Sequence, residues 1–277
     1  MLDAGIDALT SPTLKHLRER WWNDEFTEFL VETLRPKPGR RILDVGSGAG
    51  AAEVSISRQH ISQIELYGVD LRHAEVAAAV RETASHNERA HFAAADACRL
   101  PFPDAAFDST FCVAVLQHIG DVGGAIGEMA RVTRTTGRVV VVEPDNAARY
   151  FYSSRPAGTR ALALAAKFFA AAAPEGTELA IGPKVPELLA AHHVDPIAVR
   201  LFPVSSQRLG APSADVWAAR RAAVTGLMTG ASDAVQSAGR DYLAALDEYE
   251  RDARSTPGIF VEIQHTMLFA TVGQKNL

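Results

Sequence analysis

The sequence predicts a doubly wound α/β fold with a mostly parallel sheet, on three observations. Strand and helix signals alternate from residue 39 to about 145, the strands are nearly continuous apolar runs, and a glycine-rich turn follows the first strand. Apolar strands separated by helices are typical of a parallel sheet whose two faces are both covered. This order predicts right-handed crossovers and an open sheet.

The individual elements follow from short patterns. The apolar runs predict five strands, at residues 40–45, 65–70, 91–96, 107–115 and 137–144, of which the third is the weakest. Alanine-rich and amphipathic stretches predict the intervening helices at residues 51–60, 74–85 and 124–133. The glycine-rich turn lies between the first strand and the first of these helices.

The two flanking regions are predicted to be largely helical. Residues 1–38 carry apolar side chains at three- and four-residue spacing, including Trp21 and Trp22, until Pro36 and Pro38 end the helix. Beyond residue 145 we expect helical insertions at about 146–182 and 213–254, the second helical over 214–254, with a further helix at 183–192. Strands at 197–204 and 259–272 complete a seven-stranded sheet.

The composition favours a soluble, cytoplasmic protein. Of the 277 residues 47% are hydrophobic, and 28 Lys+Arg against 33 Asp+Glu give a net charge of -5, which argues against a nucleic-acid-binding surface.

Cys98 and Cys112 lack the spacing of a metal or disulfide site. The N-terminus lacks a signal-peptide pattern, and the most apolar helical stretch, interrupted by Lys167, is shorter than the roughly 20 residues of a membrane span. Abundant alanine, and arginine in excess of lysine, indicate a bacterial source.

The central motif is the segment from Ile42 to Gly50, which reads ILDVGSGAG. Gly46, Gly48 and Gly50 let the backbone turn tightly and approach a ligand closely, because no Cβ intervenes. The helix expected after them presents free N–H groups to an anionic or polar ligand. The alternative interpretation is a plain tight turn with no ligand.

Three carboxylates accompany this turn, each at the end of a predicted strand. Asp44 lies inside the motif, Asp70 closes the second strand 20 residues after Gly50, and Asp96 closes the third. Ligands of open α/β sheets bind at the carboxyl ends of the strands, where a carboxylate can accept hydrogen bonds from both ribose hydroxyls. As an alternative, Asp70 and Asp96 could cap the following helices.

These motifs resemble those of the class I S-adenosylmethionine-dependent methyltransferases, and most of all the ubiquinone- and menaquinone-biosynthesis type. The resemblance rests on ILDVGSGAG, YGVDL, AADACRLPFPDAAFD, VLQHI and VVVVEP, and covers about residues 35–145. It implies a Rossmann-like methyltransferase domain over residues 39–277, with the N-terminal segment and the insertions as a helical lid. It also implies S-adenosylmethionine as cofactor, S-adenosylhomocysteine as product, and a small-molecule acceptor methylated on oxygen, nitrogen or carbon.

The resemblance also assigns roles to single residues. Around the methionine end of the cofactor, Gly46, Ser47, Gly48 and Gly50 would form the loop and Asp44 would hold the amino group. Asp70 would hold the ribose. The remaining contacts would come from Leu71, packed on the adenine, Asp96 and Ala97 at the adenine edge, Val113 at the methionine end, and Gln117 facing the methyl group.

Catalysis needs mainly alignment of the acceptor and exclusion of water, so a base is optional. His118 is a candidate general base, although relatives often carry a histidine here whatever they methylate. Gln117 cannot act as a base, which argues against carbon methylation, because some carbon-methylating relatives have a carboxylate there. Other side chains that could reach the acceptor are those of Tyr150, Tyr152, Glu143 and His265.

The absence of certain motifs limits the classes of acceptor that we expect. There is no Asn/Asp-Pro-Pro-aromatic motif, no Pro-Cys nucleophile and no acidic cluster for magnesium, so we expect no metal and no nucleic-acid substrate. The aromatic segment from Tyr150 to Tyr152, with Trp21 and Trp22, either lines an acceptor pocket or packs the lid. We expect a monomer or a homodimer.

Two other functions stay open. Gly46-x-Gly48-x-x-Ala51 with Asp70 also fits the dinucleotide fingerprint of an NAD(P)-dependent oxidoreductase, although Asp44, Asp96 and the PFPDAAFD segment are not needed for a dinucleotide. A non-catalytic cofactor-binding protein of the same fold would keep the glycine turn and Asp70 but lack an acceptor pocket. Ligand-induced stabilisation by NAD or by S-adenosylhomocysteine separates these functions.

Overall fold

A computed structural model describes residues 21–58, 64–84, 90–173, 177–178, 180–256 and 258–276. Among these residues the chain divides into two compact units. The first unit comprises Trp21–Ala147, Gly176–Phe202 and Met267–Leu277, and the second comprises Ala148–Glu175 and Pro203–Thr266. The predicted helix before residue 21 lies outside the described residues.

The first unit contains the alternating elements that the sequence predicts. Its helices are α1 (Asp24–Leu34), α2 (Ala51–Ser57), α3 (His73–Thr83), α4 (Val122–Val132) and α6 (Val185–Ala191), with 3₁₀ turns at Leu116–His118 and Gly182–Lys184. Its strands are β1 (Arg41–Val45), β2 (Glu65–Asp70), β3 (Ala90–Ala94), β4 (Phe107–Val113) and β5 (Thr133–Pro144). The second unit contains β6 (Tyr150–Ser153), α5 (Pro156–Ala172), α7 (Ala214–Met228) and α8 (Asp233–Ser255), while β7 (Val194–Leu209) and β8 (Val261–Lys275) have residues in both units.

The strands are hydrogen-bonded in the order β3-β2-β1-β4-β5-β8-β6, and β7 pairs with β8. Strands β1 to β5 pair in parallel, and the second half of β8 runs antiparallel to β5. The predicted fold class, a doubly wound and mostly parallel α/β sheet, is therefore confirmed. Because the chain order reverses at β1, the ends of β1 and β4 form the switch point where such sheets bind ligands.

The start of the described chain differs from the prediction in one detail. Helix α1 begins after Asn23, whose side chain accepts a hydrogen bond from the N–H of Phe26 at 2.9 Å. It ends at Leu34, before Pro36, as predicted. Trp21 and Trp22 therefore precede the helix, so their assignment to it was wrong, because an Asn cap begins the helix after them.

The sheet of the described chain has an eighth strand that the sequence pattern does not show. Residues 150–153 form β6, antiparallel to residues 262–265 of β8. Tyr150 and Tyr152 are 56% and 45% exposed, whereas Phe151 is half-buried. A four-residue aromatic segment gives too little alternation to distinguish a strand from a loop, and pairing with β8 decides it.

The segment 214–254, which the sequence predicts to be helical, is built of two helices, Ala214–Met228 and Asp233–Ser255. Helix α7 ends at Met228, Gly230 has a φ of 70°, and Ser232 caps α8 by accepting a hydrogen bond from the N–H of Val235 at 3.5 Å. A glycine with a positive φ ends a helix, and a serine cap begins one, so Gly230 and Ser232 separate α7 from α8.

The core of the first unit packs helices against the central strands. Val139, Val141 and Cys112 are fully buried, together with the apolar faces of α4 and α6. In the described chain, no helix has the length and apolar character that crossing a membrane requires.

Candidate functional site

The glycine turn after β1 is anchored to the neighbouring strand. The N–H groups of Gly46 and Ser47 both donate to the carbonyl of Val69, at 2.7 and 2.9 Å. Gly46 has a φ of 81°, and a Cβ on it would lie 2.3 Å from Cγ2 of Val115. Glycine is thus required at position 46 by both conformation and space.

Gly48 and Gly50 are glycines for different reasons. Gly50 has a φ of 82°, and a Cβ there would crowd Thr83 and Ala79 of α3 at 3.1 and 3.2 Å. Gly48 also has a positive φ, of 52°, but a Cβ on it would meet no atom of the described residues within 4 Å. The backbone of Gly48 is therefore the part of the turn that a ligand can approach most closely.

Asp70 joins the glycine turn to the end of β2. Its Oδ2 accepts a hydrogen bond from the N–H of Gly48 at 3.0 Å, and its Oδ1 accepts one from the N–H of Arg72 at 2.9 Å. Helix α3 is capped at Arg72, so the interpretation of Asp70 as a helix cap was wrong. A carboxylate has about four lone-pair sites, so two remain for a ligand diol.

Asp44 lies under the turn and is 4% exposed. Burial, followed by the charges of Glu53 and Asp70, raises the pKa of its carboxyl well above the ordinary value. Glu53, on α2, is 1% exposed, and burial raises its pKa to about 8. Glu53 is not among the predicted site residues, since one acid in a short helix that begins with alanines carries no recognisable signal.

Several polar oxygens around the turn have no hydrogen-bond partner within the described part of the chain. They are Oδ1 of Asp44, Oγ of Ser47 and both carboxyl oxygens of Glu53. Buried polar groups in native proteins are nearly always paired, so these oxygens are candidate acceptors for a donor-bearing ligand. An ammonium group beside Asp44 would satisfy this requirement.

The predicted adenine-side residues follow β2 and β3. Asp96 accepts a hydrogen bond at Oδ1 from the N–H of Cys98 at 2.9 Å, which makes a local turn, and Ala97 packs against the core. Leu71 is 64% exposed although it is apolar. Asp70 pairs in register with Ala94, so β2 and β3 end at the same edge of the sheet.

The segment after β4 is held by a buried glutamate. Oε1 of Glu143, which is fully buried, accepts hydrogen bonds from the N–H groups of Val115 and Leu116, both at 2.7 Å. This fixes the 3₁₀ turn that carries Gln117 and His118 just beyond Val113, the last residue of β4. Glu143 therefore positions this turn.

Gln117 has a partner that the sequence did not indicate. It is 6% exposed, and its Oε1 accepts a hydrogen bond from Nδ2 of Asn146 at 2.6 Å. The partners are 29 residues apart in the chain, a separation that no local pattern spans. The amide of Gln117 is thereby oriented with its nitrogen as the remaining donor.

The other acceptor-side candidates belong to the second unit. Tyr150 pairs in register with His265, and Tyr152 lies on the same strand. The Oγ of Ser205 lies 3.1 Å from Nδ1 of His265. Trp21 and Trp22 belong to the first unit, where Trp22 packs edge-on against Phe26 with ring centroids 5.3 Å apart.

These features fit one kind of ligand. The buried acceptors at Asp44, Ser47 and Glu53 fit an amino group, the carboxylate of Asp70 fits a ribose diol, and Gly48 leaves room for the link between them. S-adenosylmethionine carries these groups in this order. The fold and the arrangement of these residues are those of an α/β domain of the methyltransferase class.

Comparison with known proteins agrees with this class. A family model described as a methyltransferase domain matches residues 43–141. An O-methyltransferase of Aspergillus nomiae is 32% identical over 155 residues, which cover 52% of this chain and 69% of the relative. An O-methyltransferase of Pyrenophora dematioidea is 29% identical over 156 residues, and the match spans only 58% of its length. A demethylmenaquinone methyltransferase of Thermus thermophilus is 33% identical over 113 residues, covering 41% of this chain and 51% of the relative.

Solved structures show the same fold at low identity. The YcgJ protein of Bacillus subtilis superposes with a TM-score of 0.57 at 19% identity, covering 92% of this chain and 100% of its own. The [4+2]-cyclase SpnF superposes with a TM-score of 0.53 at 21% identity, covering 92% of this chain and 82% of its own. The chain belongs to the class I S-adenosylmethionine-dependent methyltransferase family.

Proposed function

We propose that this protein transfers the methyl group of S-adenosylmethionine to a small organic acceptor. The observation that carries the proposal is the glycine turn of Gly46 to Gly50, tied to Asp70 through the N–H of Gly48 and underlain by the unpartnered Oδ1 of Asp44. The curated relatives support it, although the match spans little more than half of the first of them.

Different residues of the first unit would bind different parts of the cofactor. Asp44 and Ser47 would bind the amino end, Asp70 would bind the ribose, and Leu71, Asp96 and Ala97 would bind the adenine. Val113 and Gln117 would border the reacting end. When bound, S-adenosylmethionine supplies a methyl group that is already activated by its sulfonium, so the protein has only to orient the acceptor and exclude water.

We propose further that the acceptor atom is a hydroxyl oxygen. Relatives from Pyrenophora dematioidea and Aspergillus nomiae are named O-methyltransferases, and a relative from Amycolatopsis mediterranei, 30% identical over 151 residues, is named a 27-O-demethylrifamycin SV methyltransferase. Gln117 supports this choice, because its amide is a hydrogen-bond donor and no base. His118, in the same 3₁₀ turn, is the proposed proton acceptor for the hydroxyl.

The cofactor is tested by thermal unfolding with S-adenosylhomocysteine and, separately, with NAD. A ligand at about 100 times its dissociation constant adds roughly 2.7 kcal/mol to the free energy of unfolding, which raises the midpoint by a few degrees. We expect the shift with S-adenosylhomocysteine alone. Asp70→Asn should remove most of it, whereas Asp104→Asn, which changes the charge equally at a side chain 80% exposed, should keep it.

The other outcomes decide between the alternatives. A shift with NAD alone would refute methyl transfer in favour of an oxidoreductase, which the overlap of Gly46-x-Gly48-x-x-Ala51 with the dinucleotide fingerprint allows. Binding of S-adenosylmethionine without transfer to any member of a broad hydroxyl and amine panel would favour a repurposed fold. The likeness to a protein named a cyclase shows that this fold is not confined to one reaction.

We also propose the compartment, the oligomeric state and the kind of substrate of the enzyme. It acts in the bacterial cytoplasm as a monomer or homodimer on a diffusible small molecule, without nucleic acid as a partner. The net charge of -5 and the free thiols of Cys98 and Cys112 support this setting. Size-exclusion chromatography with light scattering measures the oligomeric state.

A further inference from the structure

Two buried carboxyl groups lie together beneath the glycine turn. Asp44 on β1 pairs in register with Gly68 on β2, and Oε1 of Glu53 lies 2.8 Å from where a Cβ on Gly68 would be. Any other residue at position 68 would fill the space that Glu53 occupies. A Cβ there would also lie 2.6 Å from Cδ1 and Cε1 of Phe92, so the glycine in β2 makes room for the ring of Phe92 and for the side chain of Glu53. Glu53 thereby lies beside the cross-strand neighbour of Asp44.

Three of the four carboxyl oxygens of the pair receive no hydrogen bond from the described residues. Oδ1 of Asp44 and both oxygens of Glu53 have no partner in the described part of the chain, and the two residues are 4% and 1% exposed. The charge of Glu53 is, after burial, the largest influence that raises the pKa of Asp44. Two carboxylates in such a place cannot both ionise without a cation, so they titrate as one unit.

We propose that Asp44 and Glu53 form a proton-holding pair beneath the turn, and that an ammonium group binding beside Asp44 drives a proton from the pair into solvent. The inference rests on the proposed function, because that function supplies the ammonium-bearing ligand. The positive charge replaces the proton as the counter-charge of the pair. Cofactor affinity then rises with pH while the ligand amine stays protonated.

Other ionisable groups lie on the elements around the pair. Asp70 at the end of β2 raises the pKa of Asp44, and Cys112 on β4 has its thiol pKa raised by burial, by Glu143 and by Asp44. Helices α1 and α3 pack against α2. Their ionisable side chains are Asp24, Glu25, Glu28 and Glu32 on α1, and His73, Glu75, Arg81 and Glu82 on α3. The largest charge effect on Asp44 remains that of Glu53.

The test is isothermal titration calorimetry of the intact protein with S-adenosylhomocysteine. Measuring the heat at pH 7.5 in phosphate and in Tris, whose ionisation enthalpies differ, gives the number of protons released. We expect the unmodified protein to release roughly half to one proton per site. Its dissociation constant should fall about three- to tenfold between pH 6.5 and 7.5.

Glu53→Gln removes one titrating member while keeping the shape of the side chain. We expect it to bind with proton release below roughly one fifth of a proton and an affinity that changes less than about twofold over the same pH range. The matched control is Glu28→Gln, on the exposed face of α1, which should behave like the unmodified protein. 5′-Methylthioadenosine, which lacks the ammonium group, should bind without releasing a proton.

The outcomes separate this inference from the proposed function. Binding of S-adenosylhomocysteine by the unmodified protein without proton release would overturn the inference and leave the cofactor assignment intact. Absence of binding at every pH would refute the proposed function itself. Equal proton release by Glu53→Gln and the unmodified protein would overturn the inference, because the proton would then not depend on a pair of Asp44 and Glu53. The first result needs no variant, so it holds even if Glu53→Gln fails to fold.

Discussion

Gly46 and Gly48 both have a positive φ but opposite surroundings. A methyl group at position 46 would collide with Val115, whereas one at position 48 would point into open space. We expect Gly46→Ala to lose about 1–3 kcal/mol of stability by overpacking, beyond the roughly 1 kcal/mol of backbone strain that both variants share. Thermal unfolding without ligand measures the difference.

Gly48→Ala should instead show its effect in ligand binding. The added methyl group occupies the approach to the backbone N–H that bonds Asp70, so we expect S-adenosylhomocysteine affinity to fall by about tenfold or more, which is about 1.4 kcal/mol. Calorimetry checks this. Val115→Ala combined with Gly46→Ala should restore part of the lost stability, and equal stability of the two single variants would contradict the assignment.

The identities of the residues predicted where the turn lies, but they did not predict which side chains contact the residues around it. The three glycines and Asp70 were found from spacing alone, and Asp70 does bond the turn. Glu53 and Asn146 were missed because their importance depends on what they face. Glu53 faces the space left by Gly68, and Asn146 faces Gln117, and neither relation leaves a periodic signal.

At the scale of elements, the second unit offers a matched pair of helix glycines. Gly158 in α5 fits because a Cβ there would lie 2.6 Å from Cβ of Ser153 and 2.8 Å from Cε2 of Tyr249. Gly226 in α7 is exposed, and a Cβ on it would meet no atom of the described residues within 4 Å. The same substitution should therefore have opposite effects on stability.

We expect Gly158→Ala to destabilise the protein by about 1–3 kcal/mol and Gly226→Ala to stabilise it by about 0.5–1 kcal/mol. The first substitution overpacks the contact of α5 with β6 and α8, and the second restricts the unfolded chain and favours the helix. Urea denaturation monitored by circular dichroism gives both values. Stabilisation by both substitutions would show that α5 can shift to admit the methyl group.

Strand β6 and the break between α7 and α8, which the sequence patterns did not predict, lie outside the central repeat of strands and helices. In the region from 40 to 144 most strands are apolar runs whose signal is local, so all five were predicted, with end residues that differ by up to four positions. Strand β6 has four residues and depends on pairing with β8, while the break between α7 and α8 depends on the backbone of Gly230. Whether such short segments form a strand or a break depends on the backbone and on the partners that the fold supplies.

At the scale of the whole molecule, the buried acids predict how stability depends on pH. Burial raises the pKa of Glu53 from its ordinary 4.5 to about 8, so between these values the folded protein holds a proton that the unfolded chain has lost. Stability is therefore greatest below about pH 4.5 with respect to this group and falls as the pH rises toward 8. The slope is at most about 1.4 kcal/mol per pH unit for each proton.

Glu53→Gln removes this contribution. We expect the free energy of unfolding of the variant, relative to that of the unmodified protein, to increase steadily from pH 5 to pH 8. Urea denaturation at each pH measures it, with Glu28→Gln as the control whose relative stability stays constant. A constant difference for Glu53→Gln as well would mean that Glu53 titrates like an exposed carboxyl.

The sequence by itself determined the fold class and the family, because both rest on local patterns: apolar strands, the glycine turn and acids at strand ends. The tertiary structure alone decided which glycine of the turn has open space beside it, which acids are buried together, and how β6, α7 and α8 are built. These depend on residues far apart in the chain, such as Gly46 and Val115 or Glu53 and Gly68. Distances and burial of that kind arise only when packing brings the elements together.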